Sequence, residues 1–469
     1  MKQLPGEILA PIDNAPFSIP TYIINLKKRI DRKAHVIEQF SGRKEFALTI
    51  IEAFEHSLGA LGLWMTIRHI LQDRVADNIE YIIIGEDDIE FTEHYSKGYL
   101  FKAIEQAMKK DADVLLGGVS WFNDALHVSD GLFWTDSFSG LQFTIIFKKF
   151  FQSLVETKLR NYSAADYEIA ALTRNTLFMY PPVAIQKDFG YSDATVKNNV
   201  QGQLPKYFES VARRLNLINT IKSNIDALIE NIDAESEPGA LAFDTVIIPT
   251  YIINLPERTE RLAHINQEFV DKPEFDVQII EACKHEVGAL GLWLSIRKVI
   301  ELAIANDDDV IVICEDDHQF TSHYSKEYLI KNIIEAHEEG VRYLSGGTGK
   351  FENAIPITAN RYWIRHCLST QFVVVYKIFF QQILDEPYDE KIVADLAYSR
   401  MTSNKMVLYP FISTQKDFGY SDITALHQEN KNLVTNMFIQ SDLKFKRIQE
   451  AYMKYHPKEN VLQSTEKYA

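Results

Sequence analysis

The chain has 469 residues, 46% of them hydrophobic and 24% charged, with a formal net charge of −16 at pH 7. This is the composition of an ordinary globular protein, long enough for two or three domains. The acidic balance argues against a nucleic-acid partner, which needs a basic face, and gives no support for docking on an anionic membrane.

The first predicted element is a short apolar strand at Thr21–Leu26, followed by a polar turn and a helical segment. GALGLW at 59–64 then runs into MTIRHILQ with its apolar residues at helical spacing. The run Tyr81–Ile84 stops at the triplet Glu86-Asp87-Asp88. A continuous apolar run bounded by charge suits a strand buried on both faces, as in a parallel sheet. Gly117-Gly118 ends another strand, where either a tight turn or a close backbone approach to a bound ligand accounts for the pair. Gln142–Phe147 reads as a further strand of the same sheet, and a mixed-charge helical stretch follows at 204–232. The acidic segment Asp233–Asp244, which carries Pro-Gly, is the natural linker.

The same elements then recur 229 positions later. PTYIINLKKRIDRKAH at 20–35 returns as PTYIINLPERTERLAH at 249–264, and the shift holds without a gap from Pro20/Pro249 to Thr195/Thr424. A period of this length is far beyond the roughly 20–50 residues of a solenoid unit, so this is a duplicated domain. The expected organisation is one domain at 1–232, a linker at 233–244 and a second domain at 245–469. Strands alternating with helices in each copy predict an α/β fold: two tandem domains, each a mostly parallel sheet flanked by helices. The tail helices, 204–232 and 427–454, are candidates for interdomain or homodimer struts.

None of the three cysteines, Cys283, Cys314 and Cys367, has a cysteine counterpart in the first copy, so no disulfide frame or zinc spacing is shared. A reducing compartment fits best. MKQLPGEILAPIDNAP at the N-terminus lacks the apolar core of a signal peptide. No apolar run approaches the roughly 20 residues that span a bilayer. The expectation is a cytoplasmic protein without membrane insertion.

Two constellations carry chemistry in both copies. Glu86-Asp87-Asp88 and Glu315-Asp316-Asp317 each close a buried strand, where three adjacent carboxylates repel one another and lose hydration. A divalent cation would offset both costs, and hard oxygen ligands suit Mg²⁺ or Mn²⁺, which keep positions open for phosphates. In open α/β sheets ligands bind beyond the carboxyl ends of the strands, where the triplets would sit. The second constellation is Asn25, Arg29 and Arg32, repeated as Asn254, Arg258 and Arg261. The Asn could bond a base or ribose, or cap the turn. The arginines, three apart on one helix face, could grip a diphosphate or pair on the surface with Asp31 and Glu260.

In this order the motifs resemble glycosyltransferase family 25, the lipopolysaccharide-type sugar transferases that include the collagen galactosyltransferases. NLxxRxxR on the first strand precedes an apolar strand ending in EDD, and YPP-x4-QKDFGYSD and YPF-x4-QKDFGYSD are similar to the family's closing Pro, Gln and Ser pattern. The resemblance covers roughly 18–195 and 247–424. It implies GT-A-like domains, a nucleotide-sugar donor such as UDP-galactose, a glycan acceptor, and an EDD triplet serving as the metal-binding DxD equivalent. Glu86, Asp87, Glu315 and Asp316 would then hold ribose and diphosphate, and Asp88 and Asp317 the metal. The family's Glu-x-Gly is kept as Glu286-Val287-Gly288, but Ser57 stands at that place in the first copy, and Leu63-Trp64 and Leu292-Trp293 occupy its Ser-His positions. By this measure the first copy is the weaker site.

An inverting transfer also needs a base on the acceptor hydroxyl. Asp166 and Asp395 are the first choice, and Asp188 and Asp417, inside QKDFGYSD, the second. Lys187 and Lys416 would pair with the diphosphate; Ser192, Asp193, Ser421 and Asp422 would cap a helix or line the pocket. The function expected is metal-dependent transfer of a hexose from a UDP-sugar to a glycan. The alternatives are a nucleotide-sugar or glycan-binding protein with one or both halves degenerate, and a metal-dependent nucleotidyltransferase.

Overall fold

A computed structural model describes residues 18–159, 164–190, 202–233, 245–419 and 432–457. The chain folds as two compact units, each around its own eight-stranded sheet. In the first, the strands lie side by side in the order Phe46–Glu52, Ile19–Asn25, Tyr81–Glu86, Thr144–Phe147, Val114–Leu116, Thr176–Met179, Leu132–Thr135, Ala125–Ser129. In the second the order is Phe275–Glu281, Ile248–Asn254, Val310–Glu315, Phe372–Tyr376, Tyr343–Ser345, Lys405–Leu408, Arg361–Leu368, Lys350–Pro356. These are two tandem α/β domains with helices flanking mixed, mostly parallel sheets, as expected. The departure is in the middle of each sheet, where Thr144–Phe147 and Phe372–Tyr376 run antiparallel to both neighbours. An apolar run reads alike in either direction, so periodicity could not reveal this.

The sequence reasons for the elements are plain. Ile19, Ile23, Ile82 and Ile83 are fully buried, so the central strands carry apolar residues toward both faces. The helix Gly59–Asp73 crosses close to the segment that leaves strand Phe46–Glu52: a Cβ on Gly62 would stand 2.3 Å from the Phe54 carbonyl oxygen, and one on Gly291 2.6 Å from that of Cys283. Only glycine permits that approach, which accounts for GALGLW in both copies. Gly118 and Gly347 also permit a close backbone approach, but to the chain itself. Their added Cβ atoms would meet the carbonyl oxygens of Ala184 and Ser413 at 2.4 and 2.1 Å, so the ligand-approach explanation gives way to internal packing.

Two features of this topology build the site. Ile19–Asn25 and Tyr81–Glu86 are parallel neighbours with Ile24 opposite Glu86, so their carboxyl ends emerge together. A separate two-stranded ribbon pairs Ile89–Phe91 with Ala184–Gln186, Ile89 opposite Gln186, which draws the QKDF segment back over the carboxylates. The second unit repeats this with His318 opposite Gln415. The tail helices are Gln203–Asp233 and Leu433–Tyr455; positions 427–431 of the second expected stretch lie outside the described residues. The linker beyond Asp233, and Ser192, Asp193, Ser421 and Asp422, lie outside the described residues.

Candidate active site

Asp87 is the anchor of the first site. Its carboxylate accepts from Asn25 Nδ2 at 2.9 Å, Arg32 at 3.0 Å and Arg29 at 3.4 Å, and it is 3% exposed. The surface pairing considered for Arg32 does not describe it: Arg32 is 4% exposed and also reaches Asp88 at 3.5 Å. The arginines that were candidates for a diphosphate clamp therefore have part of their fork on Asp87. Only with these cations alongside can a carboxylate stay buried at a strand end.

Glu86 and Asp88 flank this anchor. Burial raises the Glu86 carboxyl to about 8, with the charges of Asp88, Asp87 and Asp166 adding to the rise and Arg32 opposing it. Burial likewise raises Asp88 to about 6, against the pull of Arg32. Asp88 Oδ1 is buried without a hydrogen-bond partner. A pair of crowded, raised carboxyls with an unpaired oxygen is a poor arrangement alone and a good one around a cation. Among the described residues no group of three or more His, Cys, Asp and Glu is placed to hold a metal ion by protein ligands alone. Two carboxylates do fit Mg²⁺ or Mn²⁺ taking its remaining oxygens from phosphates and water.

The QKDF segment closes the cluster. Lys187 donates its backbone N–H to the Asp88 carbonyl at 2.7 Å, and Lys416 does so to Asp317 at 2.8 Å. The Phe189 ring lies under the Arg32 guanidinium, 4.7 Å from its centroid, as Phe418 lies under Arg261 at 4.8 Å. His35 Nε2 bonds the Ile89 carbonyl at 2.8 Å, so that nitrogen carries the proton and Nδ1 accepts from Lys187 Nζ at 3.3 Å. His264 and Lys416 repeat this at 2.9 and 3.4 Å. The roles of His35, His264, Phe189 and Phe418 were missed in the sequence. The signal was there, since each is kept at the same place in both copies.

The candidate bases separate. Asp166, second residue of helix Ala165–Leu172, accepts from the Gly140 N–H at 3.2 Å and lies close enough to raise Glu86. Asp395 accepts from the Ser369 N–H at 2.8 Å, and burial raises its pKa. Asp188 has both oxygens on backbone N–H groups twelve residues apart, Gly190 at 2.8 Å and Gly202 at 2.7 Å, and Asp417 has Gly419 at 2.8 Å and Asn432 at 3.1 Å. That geometry staples a loop. Asp166 is also bonded by two backbone N–H groups, but it is the one whose charge reaches Glu86.

In the second unit Asp316 accepts from Asn254 and Arg261, each at 2.9 Å, with Arg258 at 4.0 Å. Burial raises Glu315 to about 8 and Asp317 to about 6. Here, however, the Thr370 hydroxyl donates to Glu315 at 2.6 Å, and Asp317 is bonded by Arg261 at 3.1 Å and Gln415 at 3.4 Å.

The first cluster opens into a cleft of about 710 Å³. Its floor includes Arg32, Glu86, Asp88, Asp166 and Lys187, and Ser57 and the start of helix Gly59–Asp73 line one wall.

No protein-family model matches the chain, and no curated protein sequence does. Among solved structures it is similar to a UDP-glucose pyrophosphorylase, at 10% identity and a TM-score of 0.26 over 41% of this chain and 82% of that one. It is also similar to a glycosyltransferase involved in glycosylation of the major capsid of PBCV-1, at 14% identity and a TM-score of 0.24 over 34% and 81%. A third is the mannosyltransferase PcManGT from Pyrobaculum calidifontis, solved with GDP-Man and Mn2+, at 8% identity and a TM-score of 0.22 over 53% and 80%. Likeness this distant assigns no activity, so the chemistry has to be argued from the site. Among the described residues no helix is long and apolar enough to cross a membrane.

Proposed function

We propose that the chain is a glycosyltransferase of the family 25 type, moving a hexose from a UDP-sugar to a lipopolysaccharide-like or other glycan acceptor, with 1–232 and 245–469 as its two domains. Against the expectation from Ser57, we assign the transfer chiefly to the first, where Asp88 Oδ1 has no hydrogen-bond partner, whereas Glu315 and Asp317 are bonded by Thr370, Arg261 and Gln415. The observation that carries this is the pairing, in one cleft, of two raised carboxyls, Glu86 and Asp88, with a third carboxylate, Asp166, near them but bonded to a different wall. The kept YIIN…EDD…QKDF frame in both copies supports it.

Glu86 and Asp88 would hold Mn²⁺ or Mg²⁺, which when bound supplies positive charge to the departing diphosphate. Asp87 fixes Arg29 and Arg32 beside that position, and Lys187, held by His35, adds a cation from the opposite strand. Asp166 takes the proton of the acceptor hydroxyl as its oxygen attacks the anomeric carbon; the bond to the diphosphate breaks and the configuration inverts. Asn25 keeps Asp87 in register and is a positioning residue. Burial of the cluster strengthens each of these charge interactions.

A second reading keeps the fold but makes the second unit a nucleotide-sugar or glycan binder. The bond from Thr370 to Glu315, absent in the first unit where Leu141 stands, favours it for that half.

The test is transfer and thermal unfolding with a panel of nucleotide-sugars, with and without Mn²⁺. A ligand at a hundredfold excess over its dissociation constant stabilises the fold by about 2.7 kcal/mol. One UDP-sugar should raise the melting temperature only with metal, and Asp88→Ala should abolish both that shift and UDP release while Asp317→Ala leaves most transfer intact. Unchanged transfer in the Asp88→Ala, Asp317→Ala double variant would sink the metal-site assignment, and pyrophosphate release would point to a nucleotidyltransferase.

A further inference from the structure

The rim of the first cleft carries aromatic rings where the second copy has none. Trp121 sits on the short strand Trp121–Phe122, paired with Ser139 across Phe138–Ser139. Strand alternation sends Phe122 fully inward and leaves Trp121 40% exposed on the cleft. Tyr167, next to Asp166 on its helix, is 46% exposed and lines the same cleft. The two rings meet at 6.1 Å between centroids and an angle of 66°, forming a bent wall. Phe54 adds a third part-exposed ring to the cleft lining.

The second copy is the control. Counting 229 positions on, Trp121 becomes Lys350, Tyr167 becomes Leu396 and Phe54 becomes Cys283, while buried Phe122 stays aromatic as buried Phe351. The inward residue has been kept and only the outward ones differ. Packing therefore does not require a ring at 121 or 167, and apolar ring surface left in water within a cleft is stabilised when a ligand covers it.

We propose that Trp121 and Tyr167 form a platform for the acceptor sugar, a neutral hexopyranose at the end of a glycan. A pyranose has an apolar C–H face that stacks on an aromatic ring and a girdle of hydroxyls that needs polar partners. The rim supplies both: two rings, with Ser120, Ser139 and the carboxylate of Asp166 beside them. Asp166 follows the platform directly, since its Oδ1 accepts from the Tyr167 N–H at 2.9 Å. A sugar stacked there would offer a hydroxyl to that carboxylate. This rests on the transferase reading for its consequence but not for its test.

The test is direct binding of methyl β-galactoside, methyl β-glucoside and methyl α-mannoside to the full chain without donor or metal, by saturation-transfer NMR and by quenching of tryptophan fluorescence. At least one methyl hexoside should bind, Trp121→Ala and Tyr167→Ala should each weaken it about tenfold, and Trp121→Phe should restore most of the affinity. In transfer assays Trp121→Ala should raise the acceptor KM by a similar factor and leave the donor KM alone. Hexoside binding unchanged in Trp121→Ala overturns the proposal, as does binding of UDP alone that falls in that variant, because the rings would then stack a nucleobase. Hexoside binding lost in the variants of a protein that transfers nothing keeps the platform and removes the transferase.

Discussion

The two copies hold their buried carboxylate anchor by one arrangement and their packing by different ones. Asn25, Arg32 and Asp87 superimpose in role on Asn254, Arg261 and Asp316, down to the 2.9 Å bond from each Asn. Away from that anchor, residues have changed in compensating groups. Ser120 faces Gly140 in the first unit; in the second the serine has crossed over, with Gly349 facing Ser369, whose Oγ accepts from the Gly349 N–H at 3.3 Å. The position keeps its left-handed backbone in both, φ +112° at Gly140 and +98° at Ser369, and its N–H bonds the candidate base in both. A non-glycine residue held there is strained, and it persists because the neighbourhood fixes it. Buried Ile89 and Ala184 become His318 and Ser413, bonded to each other at 2.8 Å, with burial holding the imidazole well below its usual pKa and hence neutral. The lesson is that apolar and polar solutions fill the same space, while the carboxylate–arginine anchor has no substitute.

The sharpest way to break this comparison is to remove the anchor. Asp87→Ala leaves Arg29 and Arg32 buried without the carboxylate between them, a change that costs about 3–5 kcal/mol. Asp316→Ala should cost less, because Arg258 stands 4.0 Å from Asp316 where Arg29 is bonded to Asp87 at 3.4 Å. Urea denaturation with hydrogen exchange read separately on each sheet measures both. Equal losses would mean that the third cation adds nothing to the anchor.

How far the sequence discloses all this depends on the kind of force involved. The internal repeat, the α/β class and the burial of Asp87, Asp88 and Asp316 follow from apolar runs that stop at charge, and the structure has them. The separate fates of the three carboxylates do not follow. Glu86, Asp87 and Asp88 are equivalent as letters, and only the parallel register of Ile24 with Glu86 decides that Asp87 meets Asn25. Asp188 could not be told from Asp166 because which of the two lies near Glu86 is set by the fold and leaves no mark on composition. The contributions of His35 and Phe189 needed the ribbon that folds QKDF onto the first helix, a contact between segments about 150 residues apart.

A gentler probe exchanges one packing solution for the other. Arg361, 1% exposed, is bonded to Asn332, Glu335 and Glu339 in the second unit, where the first has Leu132, Ala103, Gln106 and Lys110. Arg361→Leu alone strands Glu339, 7% exposed, and should cost about 3 kcal/mol. Adding Asn332→Ala, Glu335→Gln and Glu339→Lys, the complete set from the first copy, should return the loss and even exceed it, since well-packed apolar residues often replace buried ion clusters without penalty. Thermal denaturation of the single and fourfold variants is the measurement. A fourfold variant as unstable as the single one would show that the two units are not packed on a common plan.

The smallest effect concerns one lysine and has a definite sign. Lys405, 2% exposed, donates to the carbonyls of Ser399 and Thr402 at 3.0 and 2.6 Å, and its counterpart in the first copy is Thr176. Burial lowers its pKa from 10.5 to about 8. Between those values the unfolded chain holds a proton that the folded chain has released, so stability rises with pH through this window. The slope approaches about 1.4 kcal/mol per pH unit at its steepest. Cys367 acts in the opposite direction: burial raises it from 9.0 to about 11, so its contribution falls as pH climbs past 9. Lys405 alone should add roughly 1 kcal/mol between pH 7 and 9, against the decline from Cys367 and from Glu86 and Glu315, whose raised carboxyls lose their protons near pH 8. Lys405→Met, which keeps the volume and removes the titration, should therefore lose about 1 kcal/mol more stability than the parent chain between pH 7 and pH 9 in urea titrations. Parallel pH profiles for the two chains would remove this lysine from the differences that separate the two copies.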